Sequence, residues 1–305
     1  MLFQLKTHDQ KNKQNHRTFY KIDTFKSIIK KVKFVAKNVI YVKKWSQSSE
    51  TFEKIHLENK DIYKCSRDIN LNLGTYELKT IDDSNSLIFK VKKLRQKSFF
   101  KETHENSLDS DEFDKFCDHL VVIDKSVSDD HVVGTYRLLL KSKFVTSLKF
   151  YSQSEFDISK LIKKKSLVLL EAGRSCVHED YRDGRIIKLL WRGLATFIVR
   201  NKVDVIFGCA SFPSSNPKLF ANQLSYLHHF HMPPKSLRTK PLKNLKAEYR
   251  IVDKKLINAE DEFRKLPPLI KAYIRAGAFI GSGAVVDKKF NTTDVLIVLE
   301  SKKIV

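Results

Sequence analysis

Leu167-Val-Leu-Leu-Glu-Ala-Gly-Arg-Ser-Cys-Val177 is an apolar run broken by two charges, Glu171 and Arg174. Its length and its polar flanks read as a strand covered on both faces. A polar turn follows at residues 178–184. Then comes a helix over 185–201, in which Ile186, Leu189, Leu190, Leu194 and Ile198 recur on one face. A second strand over 203–211 is closed by Pro213. Strand, turn, helix and strand in succession indicate an α/β layer, so the expected fold class is α/β (α+β).

The same texture extends outward from this unit. Residues 75–80 alternate as a strand does, and Asp82 and Ser84 can cap a helix over 86–97. Residues 120–123 and 132–139 read as neighbouring strands joined by a polar turn. Toward the C-terminus lie a His-rich helix at 224–231, a basic linker at 233–246 and a helix at 268–276 begun by proline. A Gly-rich turn at 277–283 and a strand at 295–299 close the chain. Before residue 73 the sequence is Lys-rich and holds neither proline nor glycine, the first glycine being Gly74. There Ile22, Phe25, Ile29, Val32, Ala36, Val39 and Ile40 alternate with lysines at helical spacing. That pattern suits a basic amphipathic helix lying on an anionic bilayer, a helix packed on the protein itself, or an extension. The expected organisation is a basic helical extension, 1–72, and one domain, 73–305.

The chain has 305 residues, with 57 Lys+Arg against 35 Asp+Glu, a formal charge of +22 and 42% hydrophobic residues. So much apolar material excludes an intrinsically disordered chain. The charge draws the protein toward a polyanion, whether nucleic acid, an anionic bilayer or an acidic protein, and composition does not choose among them. No run approaches the roughly 18 apolar residues of a membrane span, and the first residues lack a secretory layout. The expected compartment is the cytosol. Cys65, Cys117, Cys176 and Cys209 are widely spaced, without zinc-ligand patterning, and read as reduced and mostly buried.

Several groups could carry chemistry. The turn containing Arg182, Gly184 and Arg185 opens a helix whose N-terminal N–H groups suit a phosphate, though generic turns share these residues. Glu171 and Arg174 are either a structural ion pair or a general base beside a tuning cation. Asp111 and Asp114 lie in an acidic cluster that could bind a cationic amine or simply face solvent. No ligand set with metal spacing is completed, so no metal is expected. Cys176 with His178 could be a nucleophile and base, but a strand cysteine of this kind is ordinarily core.

Taken together, these stretches resemble the L-ornithine Nα-acyltransferases of bacterial ornithine-lipid synthesis. The resemblance rests on Val133-Gly-Thr-Tyr-Arg-Leu138, Leu170-Glu-Ala-Gly-Arg-Ser-Cys-Val-His178, Tyr181-Arg-Asp-Gly-Arg185, Leu266-Pro-Pro-Leu-Ile-Lys-Ala-Tyr273 and Asn291-Thr-Thr-Asp-Val295. It implies a GNAT-like domain with a mixed, twisted sheet flanked by helices. It also implies transfer of a 3-hydroxyacyl group from acyl carrier protein to the α-amine of L-ornithine. No cofactor is held permanently, since 4'-phosphopantetheine arrives on the carrier. In that reading Glu171 deprotonates the amine beside Arg174. Cys176, Val177, Arg182, Gly184, Arg185, Ile186 and Ile187 meet the pantetheine arm, and Arg95, Phe99, Asp111, Asp114 and Arg137 shape the amino-acid side. The turn departs from the usual GNAT spacing, having Arg182-Asp-Gly-Arg-Ile-Ile187, with Glu179 where proline is expected. The related acyl-homoserine-lactone synthases share the Arg, Phe, Asp and Glu-x-x-Arg positions, but their tryptophan after Phe99 is missing here. A nucleic-acid-binding or membrane-binding protein is the non-enzymatic alternative, although no recognised nucleic-acid motif accompanies the lysines. The implied location is peripheral, on the inner face of the inner membrane.

Overall fold

The computed structural model describes residues 68–100, 107–141 and 149–304. The expected amphipathic helix at 20–44 lies outside the described residues. In chain order the elements are β1 (Asn70–Leu73), β2 (Tyr76–Ile81), α1 (Ile88–Phe99), β3 (Asp118–Asp124), β4 (Val132–Lys141), β5 (Phe156–Asp157), α2 (Ser159–Ile162) and β6 (Leu169–Val177). They continue with α3 (Arg185–Arg200), β7 (Val205–Phe212), α4 (Ala221–Phe230), β8 (Lys240–Pro241), α5 (Ala259–Lys265), α6 (Pro268–Arg275), β9 (Phe279–Ile280), β10 (Val285–Asp287) and β11 (Thr292–Glu300). The first strand begins slightly before the expected boundary at residue 73. Helix α1 starts later than expected, because Asp82 accepts a bond from the Ser84 backbone and makes a turn of its own rather than a cap.

The strands form one mixed sheet in the order β1-β2-β3-β4-β6-β7-β11-β10, with β9 also on β11. Alternation along the strands builds a core on each face. Leu120, Val122, Leu138, Leu170, Ile206 and Ile297 point to the side covered by α3, α4 and α6. Val121 and Ile123 point the other way, onto Val91 and Leu94 of α1. Leu139, Leu169, Phe207 and Val298 share that second side and pack on Phe150, Phe156 and Ile158. Helix α3 lies close to the sheet because its middle residue there is Gly193, where a Cβ would sit 2.7 Å from the Leu120 methyls.

Every neighbouring pair in the main sheet is antiparallel except β6 and β7. Those two run parallel, and they pair only at Leu169–Val205, Leu170–Ile206 and Glu171–Phe207. Beyond that point β6 stays with β4 while β7 stays with β11, so the sheet forks. A bulge bends β6 just past the fork: Arg137 pairs with Gly173 and Thr135 with Cys176, leaving an extra residue on β6. Arg174, in the bulge, takes a left-handed φ of 51°. Such a conformation costs a non-glycine residue about 1 kcal/mol or more.

At the crotch of the fork sits Gly208, where a Cβ would lie 2.2 Å from the Ala172 carbonyl oxygen. A backbone atom cannot move aside as a leucine methyl can. Gly208→Ala is therefore expected to destabilise the fold by at least ~2 kcal/mol, and Gly193→Ala by less, both read from urea unfolding midpoints.

Candidate active site

The fork opens a cleft lined from both sides of the sheet. Tyr136, Ile206 and Tyr273 contribute from the α3 side, and Glu171, Cys209 and Asp294 from the other. The phenols of Tyr136 and Tyr273 are 2.6 Å apart and buried, and burial pushes the Tyr136 hydroxyl up to about 12. Both phenols therefore keep their protons at neutral pH. Sequence reading gave neither residue a role.

On the α1 side of the sheet, three arginines meet three aspartates. Arg95 donates to Asp109 at 2.7 Å and to Asp114 at 2.8 Å. Arg137 donates to Asp111 at 2.6 Å and Asp114 at 3.0 Å, and Arg174 to Asp109 at 3.1 Å and Asp111 at 3.2 Å. Burial alone would push the Asp114 carboxyl up, but Arg95 and Arg137 outweigh it and hold it well below the usual carboxylate range. The structure thus brings Arg95, Asp111, Asp114, Arg137 and Arg174 together. It also matches their charges to one another, so Asp111 and Asp114 already have their cations. Phe99 stands at the cleft wall with its ring edge-on to Phe290.

Glu171 and Arg174 do not pair. Both lie on the α1 side of the sheet, but the left-handed turn at Arg174 sends its guanidinium to Asp109 and Asp111, 4.7 Å from the ring centres of Tyr151 and Phe290. Glu171 is instead held by one segment. Its oxygens accept from the Tyr151 N–H at 2.8 Å, the Ser152 N–H at 2.7 Å and the Ser152 hydroxyl at 2.5 Å. Burial raises its proton affinity in spite of these donors.

The residues expected at the pantetheine arm divide. Cys176, Val177 and Ile186 are buried in the cores, and burial pushes the Cys176 thiol up to about 11, which leaves it no thiolate for attack at neutral pH. Ile187 packs at the edge of the main core. Arg182, Gly184 and Arg185 stand at the start of α3, with Gly184 at a left-handed φ of 93°. Arg182 donates to the Val177 carbonyl, and Arg185 pairs with Asp183, whose carboxylate also takes the Arg185 N–H. The helix start is accessible and its dipole end is already shared with one anion.

Sequence reading missed a third group. Glu155, Asp287 and Asp294 bring carboxylate oxygens within 4.8 Å of one another. Glu155 Oε2 and Asp294 Oδ1 are buried without a hydrogen-bond partner. Asp294 interrupts the apolar strand β11 much as Glu171 interrupts β6, and that was the available signal. Glu155 and Asp287 carry none. The arrangement could hold a cation, and sequence spacing did not reveal it. His229 and His231, by contrast, are spent on the Val252 carbonyl and the Tyr226 hydroxyl.

A family model described as the acetyltransferase (GNAT) domain matches residues 94–192. The L-ornithine N(alpha)-acyltransferase of Brucella abortus (strain 2308) is 38% identical over 244 residues, 76% of this chain and 86% of that protein. The protein of the same name from Agrobacterium fabrum is 45% identical over 195 residues, covering 63% of this chain and 67% of its own length. Among solved structures, the acyl-homoserine-lactone synthase LasI aligns with a TM-score of 0.40 at 12% identity, covering 76% of this chain and 90% of that one. A forked mixed sheet with a cleft through it, together with the matched domain, defines an acyltransferase of the GNAT class. The relatives narrow this further, and the chain belongs to the L-ornithine N(alpha)-acyltransferase family.

Two predictions follow from the charges. Asp114→Asn breaks a buried network and should cost about 3–5 kcal/mol in chemical unfolding. For Glu155, burial and then the Asp294 charge push the carboxyl up to about 8. The folded state therefore holds its proton more tightly than the unfolded chain, and this stabilisation is full below the unfolded value and lost as pH rises to about 8. The ligand-free protein should lose about 2 kcal/mol or more between pH 5 and pH 8, and Glu155→Gln should flatten that slope.

Proposed function

We propose that the chain transfers a 3-hydroxyacyl group from the phosphopantetheine thioester of an acyl carrier protein to the α-amine of L-ornithine, giving lyso-ornithine lipid. The observation that carries this is the fork, whose cleft is lined by residues from both faces of the sheet, in a chain of this family. The donor thioester enters between β6 and β7 and the amine approaches from the Glu171 side. The amine nitrogen attacks the thioester carbonyl, the C–N bond forms and the C–S bond breaks. Glu171, at the cleft and with raised proton affinity, accepts the amine's proton. The bulge at Arg174 leaves a residue outside the ladder, where backbone N–H groups can meet the developing oxyanion. Tyr273, with Tyr136 behind it, can donate to the departing thiolate. The start of α3, with Arg182, Gly184 and Arg185, is the seat for the pantetheine phosphate.

The charge supports two encounters. Residues 1–72 carry 16 Lys+Arg and 7 Asp+Glu, and the remainder holds the larger part of the net +22. Basic surface suits both an acidic carrier and the anionic lipids of an inner leaflet. Peripheral contact with such a surface is the proposed mode; among the described residues no helix is long and apolar enough to cross a membrane.

Expression in a host lacking ornithine lipid should yield a ninhydrin-positive lyso-lipid with an ornithine head group. Its absence despite soluble expression would overturn the reading. Glu171→Gln should lower kcat by ~100-fold or more with the fold retained by circular dichroism, and near-normal turnover would remove the base assignment.

A further inference from the structure

We propose that Glu155, Asp287 and Asp294 are the seat of the acceptor's side-chain ammonium, and hence select a cationic amino acid. This rests on the reading of the chain as an amino-acid N-acyltransferase. Asp287 and Asp294 line the same cleft as Glu171. The three carboxylates come from separate places in the chain: the turn after Phe150, the end of β10, and β11 opposite Ser211. Glu155 and Asp294 are each 5% exposed, and each aims an oxygen that accepts no hydrogen bond into the trio. Among the described residues no lysine or arginine forms an ion pair with any of them, whereas each of Asp109, Asp111 and Asp114 has an arginine. Three carboxylates this close, in a site shared with Tyr151, Cys209 and Ser211, lack a counter-ion. A primary ammonium brings one positive charge and three donors, enough to satisfy both orphaned oxygens and Asp287. A magnesium ion, which keeps several waters, fits a pocket walled by the rings of Tyr151 and Phe290 less well.

The test uses the full chain with acyl carrier protein charged with a 3-hydroxyacyl group. L-Ornithine is compared with L-norvaline, which has the same carbon skeleton without the terminal ammonium. Asp294→Asn and Glu155→Gln should each raise KM for ornithine by ~10–100-fold, with a much smaller change in kcat. The preference for ornithine over norvaline in kcat/KM should fall by a similar factor. Each substitution removes an ionisable carboxyl from a crowded trio, so the melting temperature of the ligand-free protein, read above pH 8 where Glu155 is charged, should hold or rise, which checks folding. An unchanged preference, or equal losses on both amino acids, would overturn the assignment. So would recovery of variant-sensitive activity by magnesium or manganese. Calorimetric binding of ornithine without donor separates this proposal from the function it builds on. Binding that is lost in Asp294→Asn supports the seat even if no acyl transfer is found, while transfer that is indifferent to both substitutions sinks the seat and leaves the function standing.

Discussion

Everything in the site depends on two parallel strands that stop pairing after three residues. β6 and β7 begin as an ordinary ladder and part after Glu171 and Phe207. Hydrogen bonding in a sheet is cooperative along the strands, so something must hold them apart. The bulge at Arg174 re-aims β6, and the left-handed backbone there is strained. The ion pairs of Arg174 to Asp109 and Asp111, and the rings of Tyr151 and Phe290 against its guanidinium, offset that strain. The buried arginine–aspartate network is thus part of the backbone geometry of the cleft.

The same face of the sheet carries a second electrostatic arrangement of opposite character. Arg95, Arg137 and Arg174 neutralise their three aspartates, and removing one partner would strand the others. Glu155, Asp287 and Asp294 have no such partners among the described residues, and the crowding is eased instead by the raised proton affinities of Glu155 and Asp294. One acidic group is built to stay charged, and the other gains by meeting a cation.

Much of this was legible in the sequence because periodicity reports burial. The helix at 185–201 and the strands flanking it fall within a residue or two of their observed bounds, since apolar spacing and a turn glycine mark both ends. Arg95, Asp111, Asp114, Arg137 and Arg174 were singled out through a family resemblance, and in the structure they meet in one buried network of ion pairs. What periodicity does not report is partnership across the fold. It could not say that Glu171 would be claimed by the Tyr151–Ser152 backbone rather than by Arg174. Nor could it join Glu155 to Asp294, which meet only because β11 lies beside β7. Short elements such as β5, β8 and β10 carry too few residues to show a period at all.

The fork also bears on the order of events. A cleft lined from both faces of a sheet gives two reactants separate walls to lie against. No cysteine thiolate is available at Cys176 to hold the acyl group between visits. The proposed reaction therefore involves no acyl-enzyme at Cys176: donor and acceptor meet in the cleft, and the acyl group goes directly from one to the other.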